Sequence, residues 1–292
     1  MTAQPRILAP LSKRSRYLTF NLVPDVDPRG ALTKLAKEVA LDDLVVGLGR
    51  SLVQRVGGQL DGLRESPVLS AAAAAIPSTP AALWLWLSDD EAGTLHHRGR
   101  SLEQRLSEAF RVESVTDGFL HDGGRDLTGY EDGTENPTGD AARDAAFLAS
   151  AGAGLDDSSF VAVQRWQHNL DRFQALSQTE QDHSIGRRRS DNVELEDAPA
   201  SAHVKRTAQE SFDPNAFVLR RSVPWVDGPE AGLMFVAFGK SFDAFEALLK
   251  RMVGLDDGIA DALFRFTRPL TSGYFWCPPT RGGQLDLSAL GL

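Results

Sequence analysis

Apolar residues in this 292-residue chain recur at strand spacing in some segments and at helix spacing in others, and the same order of segments occurs twice. Alternate residues face the same side of a strand, whereas residues three or four apart share one face of a helix. By this test the first half is predicted to run strand, helix, strand, strand, helix, strand. The segments are 17–23, the residues after Pro28, 44–49, 81–87, 91–110 and 112–120, with a Ser/Ala/Pro-rich connector over 66–80.

A stretch rich in Gly, Asp, Thr and Asn over 121–159 is typical of a connecting loop, and the same order of elements follows it. The segments there are 160–166, short helical stretches around 169–183, 217–223, 232–239, 242–252 and 273–278. The repeated βαββαβ order is that of the ferredoxin-like unit, so we predict an α+β fold. It comprises two tandem ferredoxin-like modules, 1–135 and 136–292, with antiparallel sheets covered by helices on one face.

Composition excludes several classes of protein. The net charge of −9 argues against a general nucleic-acid binder, which needs a basic surface to displace counterions from phosphates. The single cysteine, Cys277, rules out an intrachain disulfide. No apolar run is long enough for a membrane span, and the N-terminus does not have the pattern of a secretory signal. We therefore predict a cytoplasmic protein that contacts neither nucleic acid nor membrane.

The densest group of unusual residues is GYEDGTENPTG over 129–139. Asp-Gly and Asn-Pro are common turn pairs, so a purely structural turn explains this loop as well as a functional site does. Its acidic spacing does not match a calcium loop of the EF-hand type. None of the six histidines has a recognised zinc spacing, and signatures of serine hydrolases, P-loop NTPases and Rossmann dehydrogenases are missing. Local chemistry alone leaves the function open.

The loop GYEDG resembles the GxxDG signature of dye-decolorizing peroxidases, and GTENP follows it as in many bacterial members. Further segments keep that family's order and spacing: VQRWQHNL (163–170), IGRRRSDNVELED (185–197), SAHVKRT (201–207) and VLRRSVPW (218–225). The chain thus resembles the bacterial cytoplasmic, B-type-like members. The resemblance implies tandem ferredoxin-like modules, with haem bound in the C-terminal module.

The resemblance also implies individual roles. His203 corresponds to the proximal ligand of the haem iron, and Asp132 with Arg220 corresponds to the distal pair that handles peroxide. A shift of one residue in the strand would replace Arg220 by Arg221, because neighbouring strand residues face opposite sides. Ser222 occupies a position that is Asn in some members, and a hydroxyl offers fewer donors than an amide.

The resemblance to dye-decolorizing peroxidases implies roles for four further residues. Arg187 would pair with a haem propionate, and Gly133 and Asn136 would belong to the haem-binding loop. The second nitrogen of a proximal imidazole commonly donates to a carboxylate, for which Asp261 is the candidate.

The implied function is a peroxidase with one haem b per chain, which reduces hydrogen peroxide through a ferryl intermediate. Dyes, phenolic compounds or similar small molecules would supply electrons one at a time. Asp132 would act as the base; a nearby guanidinium lowers a carboxyl pKa unless burial opposes it, so we expect peroxide activation to persist in acid. Aromatic side chains could relay electrons, and the candidates are Trp166, Trp225, Tyr274 and Trp276.

Two other functions stay open: a haem-handling protein that delivers haem or releases its iron, and a haem-free interaction module. A homo-oligomer is expected. The apolar C-terminal tail over 284–292 is either a strap that packs on the protein itself or a signal that loads it into an encapsulin shell.

Overall fold

A computed structural model describes residues 1–71 and 74–292, so two residues of the predicted 66–80 connector lie outside it. The first module has six principal elements and three short ones between its second and third strands. In chain order they are β1 (Arg14–Leu22), α1 (Arg29–Glu38), β2 (Leu44–Leu48), α2 (Arg50–Arg55), β3 (Leu69–Ser70), β4 (Ala75–Ile76), β5 (Leu83–Asp89), α3 (Ala92–Leu106) and β6 (Phe110–Phe119).

The principal strands form an antiparallel sheet in the order β2-β5-β1-β6. This is the arrangement of a ferredoxin-like module, with α1 and α3 on one face. The predicted helix over 91–110 ends earlier, at Leu106. Phe110 is instead the first residue of β6, where it is buried opposite Leu22 of β1.

The second module repeats the arrangement with more insertions. Its elements are α4 (Gly139–Ala146), β7 (Ser159–His168), α5 (Leu170–Gln174), α6 (Gln178–Ile185), α7 (His203–Arg206), β8 (Leu219–Arg220), β9 (Val223–Asp227), β10 (Glu230–Gly239), α8 (Asp243–Met252), β11 (Thr267–Pro269), β12 (Gly273–Cys277), β13 (Thr280–Arg281) and β14 (Gln284–Leu285). Four of its strands form the antiparallel order β12-β7-β10-β9, so the predicted tandem fold is confirmed.

The predicted strand over 217–223 is interrupted. β8 and β9 share one register against β10, in which Arg220 faces Ala237 and Val223 faces Met234. Between them, the backbone N–H of Val236 donates to the Ser222 hydroxyl (3.3 Å) instead of to a main-chain carbonyl. The side chain of Ser222 thus takes the place of one main-chain partner in the ladder.

The two sheets join edge to edge into a closed ring of eight strands, β7-β12-β2-β5-β1-β6-β9-β10, because β10 pairs back onto β7. Alternate residues of these strands point inward and form an aromatic-rich core that includes Tyr17, Trp84, Trp86, Trp225 and Phe275. The opposite residues face the helices. The sequence predicted each half, but not this closure.

Each junction between the modules is narrow. The pairing of β6 with β9 consists of Gly118 opposite Trp225, and a Cβ at Gly118 would lie 2.6 Å from Val223. The pairing of β12 with β2 consists of Trp276 opposite Leu48. The buried Gln4 side chain reinforces this second junction by donating to the carbonyls of Val46 and Pro278 and accepting from the Val46 N–H.

The segment between β6 and β7 contains the change from one module to the next. We propose the boundary at 135/136, because α4, which follows it, packs on the strands of the second module. The C-terminal tail returns to the first module: Leu285, Leu287 and Leu290 are buried in the core, and Gln284 donates to the carbonyl of Lys37 in α1. Of the helices described, none has the length and apolar character that crossing a membrane requires.

Replacing Gln4 by Met should destabilise the barrel, because Met has a similar volume but leaves three buried main-chain groups without partners. We expect a loss of about 1–3 kcal/mol in the free energy of unfolding, measured by urea denaturation. The control is Gln104→Met on the exposed face of α3, with an effect below about 0.5 kcal/mol. Equal stability of the two variants would show that Gln4 does not hold the junction.

Candidate active site

A cavity lies on the outer face of the second module's sheet, beneath α8 and the loop of the GxxDG motif. Gln164, Trp166 and His168 line one side from alternate positions of β7, as the period of a strand requires. Most of the remaining wall is apolar: Leu233, Phe235, Phe245, Leu248, Leu249, Met252, Leu263 and Phe266. A few polar groups in a largely apolar cavity are typical of a cofactor site.

His203, the first residue of α7, lines this cavity with its orientation fixed from behind. Its Nδ1 lies 2.7 Å from Oδ2 of Asp261, whose other oxygen accepts a hydrogen bond from the Leu263 N–H (2.8 Å). The candidate acceptor is therefore in contact with the predicted ligand. Gly186 ends α6 in a left-handed conformation, where a Cβ would lie 2.3 Å from Val204 in α7. This glycine permits the close approach that brings His203 to the cavity.

Asp132 lines the cavity from the GxxDG loop. Burial raises the pKa of its carboxyl group, and Asp126 adds to this increase. Arg220 and His203 act in the opposite direction, but they do not offset burial. Our expectation of a lowered pKa held only if burial did not oppose the guanidinium, and here the cavity wall shields the carboxyl group from much of the solvent, which disfavours its charged form.

Arg220 lines the same cavity, and its backbone is held by Asn136. The Asn136 side chain accepts from the Arg220 N–H and donates to the Arg220 carbonyl, both at 2.8 Å. Nε of Arg220 is buried and has no hydrogen-bond partner within residues 1–71 and 74–292. Arg221 points elsewhere and donates to the carbonyls of Ile7 and Leu8. The register therefore favours Arg220 as the arginine of the cavity.

Three other predicted residues lie outside the cavity wall. The Ser222 hydroxyl accepts a hydrogen bond from β10, as described above. Gly133 adopts a positive φ of 81° and supports the turn that contains Asn136. The guanidinium of Arg187 is buried against the carboxylates of Glu135 and Glu194. A contact between Arg187 and a cofactor carboxylate stays a prediction.

A buried polar group in the wall escaped the sequence analysis. Nε2 of His168 lies 3.1 Å from Oδ1 of Asp126, and its Nδ1 lies 2.7 Å from the Thr267 hydroxyl. Asp126 also accepts from the hydroxyl and the N–H of Thr128. Burial alone would raise the pKa of Asp126, but the hydrogen bonds from His168 and Thr128 prevail and lower it to about 2. His168 follows Trp166 by two residues, so both side chains lie on the same face of β7. This spacing is the sequence pattern from which the polar group could have been predicted.

Residues 123–282 match the family model of the Dyp-type peroxidase C-terminal region. The chain belongs to the Dyp-type peroxidase family. A dye-decolorizing peroxidase from Mycobacterium tuberculosis is 27% identical to this peroxidase in an alignment of 297 positions, which covers 95% of this chain and 88% of the relative. The family resemblance and the peroxidase activity predicted from the sequence are thereby confirmed, and the enzyme is an oxidoreductase. The B-type subclass stays a prediction.

Solved structures agree with this assignment over the whole fold. A putative Dyp-type peroxidase from Shewanella oneidensis has a TM-score of 0.89 and 27% identity, covering 99% of this chain and 97% of its own. An arginine-to-leucine variant of DypB from Rhodococcus jostii RHA1, solved in complex with haem, has a TM-score of 0.86 and 28% identity. The matched parts cover 94% and 95% of the two chains.

The lowered pKa of Asp126 predicts a stability that depends on pH. A depressed carboxyl pKa stabilises the folded state above the ordinary value of 3.8, and this contribution is lost as the pH falls through about 2. Asp126→Asn should therefore cost about 2 kcal/mol near neutral pH, with the deficit shrinking below about pH 4. Urea unfolding at several pH values tests this, with the exposed Asp144→Asn as the control. A deficit that is constant with pH would contradict the proposed origin of the stabilisation.

Proposed function

We propose that this peroxidase binds one haem b per chain in the cavity, where Nε2 of His203 would hold the iron. The observation that carries the proposal is the His203–Asp261 hydrogen bond, which occupies Nδ1 and directs the rest of the ring into the cavity. This arrangement fixes the tautomer and increases the basicity of a ligating imidazole.

The rest of the cavity suits the same group. Apolar side chains from β10 and α8 would contact a flat macrocycle on its faces and edges. The unpartnered Nε of Arg220 is a donor without an acceptor, and the buried Asp132 is an acceptor near it. Both are suited to binding a small polar ligand such as hydrogen peroxide. The haem complex of the related DypB variant supports this proposal.

Bound haem would supply the redox centre that accepts oxidising equivalents from hydrogen peroxide. Asp132 accepts the proton from one peroxide oxygen and returns it to the other, which leaves as water. The guanidinium group of Arg220 stabilises the negative charge that develops on the departing oxygen. Because burial raises the pKa of Asp132, its carboxyl group is better matched to both accepting and returning a proton than an exposed aspartate is.

The electron donors are small molecules, for which dyes and phenolic compounds are the proposed classes. Assembly into a homo-oligomer is proposed from the family resemblance, and a cytoplasmic location from the resemblance together with the sequence pattern. Loading into an encapsulin shell would require the C-terminal tail to leave the core in which Leu287 and Leu290 are buried, so we favour the strap.

The distal pair can be tested separately from haem binding. Asp132→Asn combined with Arg220→Leu should lower peroxidase turnover by at least about 10²-fold, since each residue acts on the reacting oxygens. The Soret band of the purified protein should be unchanged. The control replaces the exposed neighbours Asp171 by Asn and Arg172 by Leu in α5. Full turnover in the first variant would refute the roles of Asp132 and Arg220.

The reaction with peroxide should depend on the ionisation of Asp132. Since the pKa of this carboxyl group is raised, the rate should decline with acidification at a pH above the ordinary value of 3.8. Stopped-flow measurement of the Soret change across the acidic range gives this profile. The Asp132→Asn variant should react more slowly and lack the inflection. An unchanged inflection in that variant would assign the titration to another group.

A further inference from the structure

Tyr130 stands in the cavity wall with its hydroxyl group directed away from the cavity. It is one of only three tyrosines in the chain. The hydroxyls of the other two, Tyr17 and Tyr274, are buried and have no hydrogen-bond partner in the part of the chain that the structure describes. Tyr130 instead donates a hydrogen bond to Oδ1 of Asp182. Its ring is buried against Phe173, with the two rings edge to face.

The hydroxyl group of Tyr130 belongs to a network that reaches the surface. Gln178 donates to the Tyr130 oxygen (3.2 Å) and to the Asp182 carboxylate (2.8 Å). The backbone N–H of Arg189 donates to the same carboxylate (3.2 Å). Gln178 and Arg189 are exposed, so one side chain, Tyr130, connects the cavity to a polar surface patch.

The position of Asp182 is determined by local structure. α6 begins with a capping box in which Ser177 and Glu180 bond each other's backbone N–H groups, and Gly186 ends the helix. A capped helix of eight residues holds Gln178 and Asp182 on one face, since they are four residues apart. The carboxylate acceptor is therefore rigidly placed opposite the phenol.

A phenol that loses an electron becomes strongly acidic, so its oxidation is far easier when a base accepts the proton at the same time. Burial and the hydrogen bond to Asp182 raise the pKa of Tyr130, so this phenol carries its proton at neutral pH. Trp166, the other oxidisable ring in the wall, donates its N–H to the amide oxygen of Gln164 (3.0 Å). An amide oxygen is a poor proton acceptor, and this difference favours Tyr130.

We propose that Tyr130 carries oxidising equivalents from the cavity to electron donors at the surface patch formed by Gln178 and Arg189, with Asp182 as its proton acceptor. The proposal rests on the proposed function, since hydrogen peroxide is the oxidant. It assigns to Tyr130 a role for which the sequence suggested other aromatic residues. Of those, Trp225, Tyr274 and Trp276 do not line the cavity.

Tyr130 gives one electron to the redox centre that peroxide has oxidised, its O–H bond breaks, and the proton forms a new O–H bond on Oδ1 of Asp182. A one-electron donor at the surface then reduces the tyrosyl radical. Asp182 returns the proton to the phenolate oxygen, which restores both side chains. Each peroxide supports two such cycles because its reduction to water takes two electrons.

The test uses the haem-loaded enzyme mixed with one equivalent of hydrogen peroxide, without a donor, and frozen for electron paramagnetic resonance. Wild-type protein should give a tyrosyl signal, identified by its change on incorporation of ring-deuterated tyrosine. Tyr130→Phe should lower this signal at least tenfold, whereas the matched control Tyr274→Phe should retain it. Asp182→Asn, which keeps the ring but removes the base, should lower the yield several-fold.

Steady-state rates provide a second readout. In Tyr130→Phe the rate of the Soret change with peroxide should be unchanged, while turnover of a bulky dye falls at least tenfold. A purely structural role for Tyr130 would alter both. A tyrosyl signal that persists in Tyr130→Phe, or that disappears in Tyr274→Phe, would overturn the proposal.

Different results would refute the relay through Tyr130 and the proposed haem-binding function. A wild-type enzyme whose Soret band responds normally to peroxide but that yields no tyrosyl signal refutes the relay and leaves the proposed function intact. A protein without a Soret band refutes both. If Tyr130→Phe does not bind haem, spin trapping in the wild-type enzyme, followed by mass spectrometry of peptides, decides the matter. The adduct should lie on Tyr130, and an adduct confined to Tyr17, Tyr274 or a tryptophan would contradict the proposal.

Discussion

The closure of two sheets into one barrel is the constraint on which the rest of the structure depends. The inner faces of most principal strands pack aromatic and aliphatic side chains, including Trp84, Trp86 and Trp225. The cavity lies on the outer face of the second module's sheet, where helices and loops cover the strands. In the second module α8 does not pack directly on all of β7 and β10, and the site occupies the space between them. Large packed aromatics on one side of a strand thus support a cavity on the other.

Three carboxyl groups lie in or behind the cavity wall, and they differ in the hydrogen bonds that stabilise their charged forms. Asp261 is buried but shares a hydrogen bond with His203, and Asp126 is buried but accepts bonds from His168 and Thr128. Asp132 has weaker compensation, which is why its pKa rises while that of Asp126 falls. Burying an ionisable group costs free energy unless it is paired. The least compensated carboxyl group is the one to which we assign proton transfer, in keeping with the clustering of perturbed groups at functional sites.

The tandem modules and the candidate site residues could be predicted from the sequence. Strand and helix periodicity is local, and it predicted the tandem modules; the GxxDG and SxHV-like segments predicted Asp132 and His203 through family resemblance. Closure of the barrel was not predictable, because single residue pairs make the junctions. The pairing of Tyr130 with Asp182 joins residues 52 positions apart. The direction of the Asp132 pKa depends on three-dimensional burial, which no local pattern contains.

We propose that one cavity holds haem through His203 and presents Asp132 with Arg220 to hydrogen peroxide. A crystal structure of the haem-loaded protein tests this arrangement. We expect iron bound to Nε2 of His203, a hydrogen bond from Nδ1 to Asp261, and the Asp132 and Arg220 side chains on the opposite face. Haem bound outside this cavity, iron ligated by another residue, or Asp132 on the same face as His203 would contradict it.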